Sequence, residues 1–282
     1  MNEPLCISRI LLPVEFSERC RGAARYAEAL ACRFHAELVL LHVVAPPYCV
    51  YGGAGEVSAY CSLTDMLAER MAQGQAQLDA FAGEAPADLP IRRELLEGDP
   101  ARNIVDFAHF ERFDLIVMPT HGYGPFRRFL IGSVTAKVLH DVDCPVWTGP
   151  HLEGAPEWKE VRFRKIACAV DLGPHSRTVL EWAGAMTRAC GAELAIVHAV
   201  GEMATPDGSV RESVLGLADE LGLSAAVHVE MGETPAAVTR AAGQLGADLL
   251  VIGRSVHPGV LGRLRANAYA IIRESPCPVV SI

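Results

Sequence analysis

The stretch Ala36-Glu-Leu-Val-Leu-Leu-His-Val-Val44 returns 156 residues later as Ala192-Glu-Leu-Ala-Ile-Val-His-Ala-Val200. Each is a short run, apolar except for its acidic opening and one histidine. That pattern fits a strand buried on both faces, as in a parallel sheet covered by helices. A second pair keeps the same spacing: Ile10-Leu-Leu-Pro-Val-Glu-Phe-Ser17 and Ile166-Ala-Cys-Ala-Val-Asp-Leu-Gly173. Further on, Phe113-Asp-Leu-Ile-Val-Met118 answers Ala247-Asp-Leu-Leu-Val-Ile252 at a spacing of 134, and Cys144-Pro-Val-Trp147 answers Cys277-Pro-Val-Val280. Four blocks in one unbroken order indicate a duplicated domain.

The fall in spacing from 156 to 134 puts 22 extra residues in the first copy. The stretch 46–90 accommodates them, with Gly52, Gly53 and Gly55 followed by a helical pattern from Leu63 to Phe81. Those glycines read as a lid or a simple loop. The first domain is thus expected over 1–148, a breaker-rich linker over 149–164 and the second domain over 165–282. Helical periodicities separate the strands. Ala23, Ala27, Leu30 and Phe34 line one face behind Ser17, a candidate N-cap. Val179, Ala183 and Met186 do the same before Gly191, a candidate C-cap. Strand alternating with helix gives an α/β fold with a parallel sheet and helices on both faces.

With 282 residues, half of them hydrophobic, a fifth charged and a net charge of −9, the chain reads as globular. The acidic balance argues against nucleic acid or an anionic membrane as partner. No apolar stretch approaches the ~18 residues of a membrane span. The start lacks a basic, then apolar, leader pattern. Nine cysteines without C-x-x-C spacing suggest neither zinc nor a disulfide framework, so a reduced, cytoplasmic protein is expected.

Ligands of open parallel sheets bind beyond the strands' carboxyl ends, where connections diverge. Here those residues are Pro13, Val14 and Glu15, then Val43, then the segment from Met118 to Thr135. This last segment leaves a buried strand, passes Gly122 and Gly124, and enters a helix at Gly132-Ser133. Glycine admits close backbone approach, and N–H groups at a helix start, with the Ser133 and Thr135 hydroxyls, suit phosphate oxygens. There is no P-loop, nucleophile elbow, zincin motif or complete dinucleotide fingerprint, so catalysis has no foothold.

At these residues the chain resembles the universal stress protein family in its tandem form. The resemblance spans the I-L-x-P-V-[DE]-x-S opening at Ile10 to Ser17, the L-L-H-V-V strand at Leu40 to Val44, the G-D-P turn at Gly98 to Pro100 and the C-P-V ending. It implies two Rossmann-like, adenine nucleotide alpha hydrolase-like domains, each a five-stranded parallel sheet. It also implies pairing through the last strands, Val146 to Thr148 and Val279 to Ile282, as a homodimer or an intramolecular pseudo-dimer. The family's nucleotide loop, G-x2-G-x9-G-[ST], reads here Pro119-x2-Gly122-x9-Gly132-Ser133. Members with an intact loop bind ATP; those without it generally do not.

Carried onto this sequence, the resemblance implies a nucleotide site of Pro13, Val14, Glu15, Val43, Met118, Pro119, His121, Gly122, Arg128, Gly132, Ser133, Val134 and Thr135. The expected cofactor is ATP, with or without Mg2+, and the activity is at most slow hydrolysis. Two departures bear on this. Pro119 has a fixed φ and no N–H, and Glu15 is one methylene longer than the usual aspartate. The second copy keeps Asp171 but has Ala169 before it, Val256 in the loop, and Arg265-Ala266 or Ala266-Asn267 where Gly-Ser would stand. A triphosphate is not expected there.

Arg127 and Arg128 read equally as phosphate contacts or as solvated surface. His42 and His198 occupy equivalent strand positions, which favours packing over catalysis. His121 alone is weak evidence for acid–base work. The competing reading is a nucleotide-free interaction module of the same fold, favoured by Pro119. An adenylate-handling enzyme would require a catalytic constellation that the sequence lacks.

Overall fold

The structure is a computed structural model, described here over residues 4–46, 56–81, 85, 88–121, 131–150, 152–201, 208–254 and 266–282, with backbone alone at 56–63. The first half runs β1 (Arg9–Pro13), α1 (Glu18–Phe34), β2 (Glu37–Val44), α2 (Glu56–Ala80), β3 (Ile91–Glu97), α3 (Pro100–Glu111), β4 (Leu115–Val117), α4 (Ser133–Asp141) and β5 (Val146–Thr148). The second repeats it: β6 (Lys165–Ala169), α5 (Ser176–Cys190), β7 (Glu193–Val200), α6 (Gly208–Glu220), β8 (Ala225–Met231), α7 (Thr234–Leu245), β9 (Leu249–Ile252), α8 (Ala266–Glu274) and β10 (Val279–Ser281).

All ten strands form one sheet in the order β3-β2-β1-β4-β5-β10-β9-β6-β7-β8. Pairing is parallel within each half, and β5 meets β10 antiparallel, Val146 opposite Ser281 and Thr148 opposite Val279. The expected pairing of last strands is therefore made inside the chain, and it occupies both of those edges. In each half the chain winds outward from its first strand, then returns across it to the fourth. The switch point lies between β1 and β4, and again between β6 and β9.

The local signals explain the elements. Ser17 caps α1 by accepting from the Cys20 N–H, and Gly191 ends α5 in the left-handed region at φ 64°. Asp114 receives the backbone N–H groups of Ser8 and Arg9 at 2.7 and 2.9 Å, and Asp248 receives those of Arg164 and Lys165 at the same distances. The repeat is thus conserved in its tethers as well as its strands. Ala23, Ala27 and Leu30 of α1 are buried as the periodicity requires, as are Val179, Ala183 and Met186 of α5.

Apolar cores lie on both faces of the sheet, and each contains residues of both halves. Trp147, wholly buried in β5, stacks on Tyr26 of α1 at 4.4 Å between ring centroids. The expected linker is not loose. A 3₁₀ turn at Leu152–Gly154 packs on α1, with Leu152 buried, and Arg25 donates to the Ala155 carbonyl. The extra length of the first copy lengthens its second helix to 25 residues against 13 in α6. Gly52, Gly53 and Gly55 lie outside the described residues. No described helix is long and apolar enough to cross a membrane.

Candidate functional site

The first copy's site residues gather at the switch point. Pro13 ends β1, with Val14 and Glu15 behind it; Val43 lies near the end of β2; Met118 and Pro119 follow β4. Val14, Val43 and Met118 are buried, Val14 in the core on one face of the sheet and Val43 and Met118 in the core on the other. The Val14 carbonyl receives His42 Nδ1 at 2.7 Å, and the Val170 carbonyl receives His198 Nδ1 at 2.8 Å. These histidines hold the same turn in both copies, which is the packing role their symmetry suggested.

Glu15 turns toward the start of α1. Its carboxylate accepts the Ser17 hydroxyl, and burial holds its pKa above the ordinary carboxylate range against the pull of Ser17 and Arg19. Its counterpart Asp171 likewise serves the following helix, accepting from Gly173 N–H at 2.8 Å and the Ser176 hydroxyl at 3.1 Å. The turn puts Phe16 and Leu172 at positive φ, 66° and 57°, a conformation that costs side-chain-bearing residues and marks both turns as over-determined.

Beyond β4 the chain is tied down by its own polar groups. The Thr135 hydroxyl, buried, donates to the Pro119 carbonyl at 3.0 Å. The Gly132 N–H donates to the Thr120 carbonyl at 2.8 Å. Thr135 therefore spends its donor on the strand end. His121 is buried with Nδ1 3.0 Å from the Thr120 hydroxyl, and its Nε2 has no partner among the described residues. Burial, then the charge of Arg19, pushes its pKa down. A histidine held neutral and enclosed fits packing better than proton transfer.

Helix α4 starts from Gly132, which offers no side-chain cap, whereas Ser17 caps α1 and Asp99 caps α3; α5 and α7 also start without a side-chain cap. The first turn of α4 thus presents N–H groups that no capping side chain covers. Ser133 is exposed and Val134 half-buried beside it. Among the described residues a Cβ at Gly132 would meet only ordinary contacts, the nearest being His121 Cα at 3.4 Å. Neither crowding by those residues nor φ, at −62°, demands glycine there. Gly122, Arg127 and Arg128 lie outside the described residues.

In the second copy the equivalent region holds a cavity of about 310 Å³, lined by Val170, Asp171, His198, Ile252 and Asn267 among others. Arg254 follows Gly253 at the end of β9, but its guanidinium points away to the first copy, donating to the carbonyls of Leu139, Val142 and Cys144. That role had no signal in the sequence. Val256 and Arg265 lie outside the described residues. Among the described residues no group of three His, Cys, Asp or Glu side chains forms a metal site.

Known proteins place these features. The sequence profile of the Universal stress protein family matches residues 7–148 and again 162–282. A universal stress protein of Methanocaldococcus jannaschii is 32% identical over 139 residues, 49% of this chain and 79% of that protein. One of Thermus aquaticus is 34% identical over 137 residues, 49% of this chain and 94% of that protein. A universal stress protein structure from Archaeoglobus fulgidus aligns over 97% of both chains with a TM-score of 0.69 at 22% identity, and so shares the fold. Two Rossmann-like halves, each matched by the same profile, show that the chain belongs to the universal stress protein family as a tandem member.

Proposed function

We propose that the first copy binds an adenine nucleotide, ATP foremost, and that the chain is a cytoplasmic, nucleotide-responsive binding protein in stress response or signalling. The uncapped start of α4 at Gly132 carries this reading. A glycine that the described residues around it do not require, at a helix N-terminus beside the switch point, leaves room for phosphate oxygens to reach backbone N–H groups. Val14, Val43 and Met118, buried apolar residues at the strand ends, would meet the nucleoside there, with Glu15 as a carboxylate beside them. Gly122 is assigned to the phosphates by family resemblance, and Arg128 by its place in the same loop.

Magnesium, where used, would arrive on the phosphates, as this ion keeps much of its hydration and is shared with nucleotide oxygens. No described side chain is arranged as a general base, so the reading is of binding rather than turnover. The competing reading, a nucleotide-free interaction module, draws on Pro119, which has no N–H and whose carbonyl is already engaged by Thr135.

Denaturing the purified protein and assaying the released small molecules separates the two. Adenine nucleotide in the supernatant, or a melting temperature raised by added ATP with magnesium, supports the first. A nucleotide-free protein that ATP neither stabilises nor binds supports the second.

A further inference from the structure

Helix α4 is held at both ends by the second copy. Before its start, the Tyr269 hydroxyl of α8 donates to the carbonyl of Ile131, the residue preceding Gly132, at 3.2 Å. At its end, the Arg254 guanidinium donates to the carbonyls of Leu139 at 3.2 Å, Val142 at 3.3 Å and Cys144 at 2.6 Å. The last carbonyls of a helix have no partner within it and carry the negative end of its dipole. A planar cation with a fork of donors matches that end. Arg254 is only 4% exposed, and its own N–H bonds to the Ile282 carbonyl at 2.6 Å, beside the central strand β10. The clamp therefore stands on a rigid part of the sheet.

The arrangement is not reciprocal. Thr120 stands in the first copy where Arg254 stands in the second, and its hydroxyl turns to the Gly149 carbonyl near its own strand β5. Aligning the starts of α4 and α8 puts Ala136 where Tyr269 stands. Neither has the phenol or guanidinium needed to return the contact. The copy with the degenerate loop holds the helix of the copy with the better one.

We propose that the second copy is a positioning domain for the first copy's phosphate site, with Tyr269 and Arg254 setting where the N-terminus of α4 stands. This rests on the nucleotide reading above. Hydrogen bonds from backbone N–H groups to an anion weaken steeply outside a narrow range of distance and angle. A helix start tied both within its own domain, by Gly132 and Thr135, and from the other copy, by Tyr269, is thus a determinant of phosphate affinity. Nucleoside contacts made by β1 and β2 do not pass through α4, and the end of β4 meets that helix only through the Pro119 and Thr120 carbonyls, which accept from Thr135 and Gly132. The clamp should act foremost on the phosphates.

The test is Tyr269→Phe, which removes one oxygen and leaves the ring. Calorimetric titration with ATP, and competition by adenosine, are run on wild type and variant, with melting curves to confirm folding. The expected result is ATP binding weakened about fivefold, the ratio one ordinary hydrogen bond converts to, with adenosine affinity moved much less. Arg254→Lys, which keeps the charge but not the fork, should move ATP binding the same way if it folds. Equal ATP affinity in Tyr269→Phe and wild type overturns the proposal, as does an equal loss for ATP and adenosine. A wild type that binds no ATP overturns the nucleotide reading itself and this with it; an unresponsive variant of a binding wild type overturns the clamp alone.

Discussion

Val280 of β10 lies opposite Trp147 of β5 in antiparallel register, and that pairing fuses two parallel five-stranded sheets into one. The cores on both faces also run on from one half into the other, so the halves share a continuous interior. Heat or denaturant should therefore unfold the chain in one transition, seen alike by far-UV circular dichroism and tryptophan fluorescence. Two separated transitions would show that the halves are energetically independent.

Trp147 anchors this junction. Its side chain is wholly buried against Tyr26, while its Nε1 has no partner among the described residues. Trp147→Ala should cost ~3–5 kcal/mol through lost burial and the cavity left behind. Trp147→Phe should cost much less, since no hydrogen bond goes with the indole. Urea denaturation of both variants checks the contrast, and equal losses would contradict it.

Gly22 is required by close approach. A Cβ there would stand 1.9 Å from the Leu152 carbonyl oxygen, where the connection between the halves crosses α1. Gly22→Ala should destabilise by ~1–3 kcal/mol, the usual penalty for overpacking, by pushing that connection off the helix. A variant melting with wild type would show that the connection docks loosely.

Glu15 makes stability depend on pH. Burial, its main influence, raises its carboxyl pKa in the folded state. A raised pKa means that the folded chain holds the proton where the unfolded chain has lost it. The group's contribution is full below the ordinary glutamate pKa and is lost as pH rises through the folded value. Glu15→Gln should therefore melt higher than wild type at neutral pH, with the gap closing toward about pH 4. A gap that widens on acidification would reverse the assigned sign.

The thiols should separate by burial. Cys20 has its pKa pushed up to about 12 by desolvation and Cys168 is raised further, whereas Cys6 is exposed. Iodoacetamide at neutral pH, followed by peptide mapping, should label Cys6 in the native protein and reach Cys20 and Cys168 only after unfolding. Native labelling of Cys168 would show that the core opens.

The strands legible in the sequence are those buried on both faces, such as Leu38 to Val44 and Leu249 to Ile252, since only burial demands an unbroken apolar run. The edge strands β3 and β8 were not. β3 reads Ile-Arg-Arg-Glu-Leu-Leu-Glu, and Arg92 uses its edge position to pair with Glu94 and Glu111. The candidate site was legible as a set of strand ends plus a glycine. Its polar wiring was not. Thr135, expected at a phosphate, gives its hydroxyl to Pro119, and Arg254, just past the end of β9, caps a helix more than a hundred residues away. No local pattern encodes a partner at that separation.

The nucleotide reading is tested most directly by titrating ATP with magnesium into the wild-type chain in a calorimeter, beside Gly132→Val. The account predicts saturable binding with one site per chain, abolished in the variant, with circular dichroism and a melting curve confirming that the variant folds. No heat of binding in wild type, or binding that survives Gly132→Val, would contradict it.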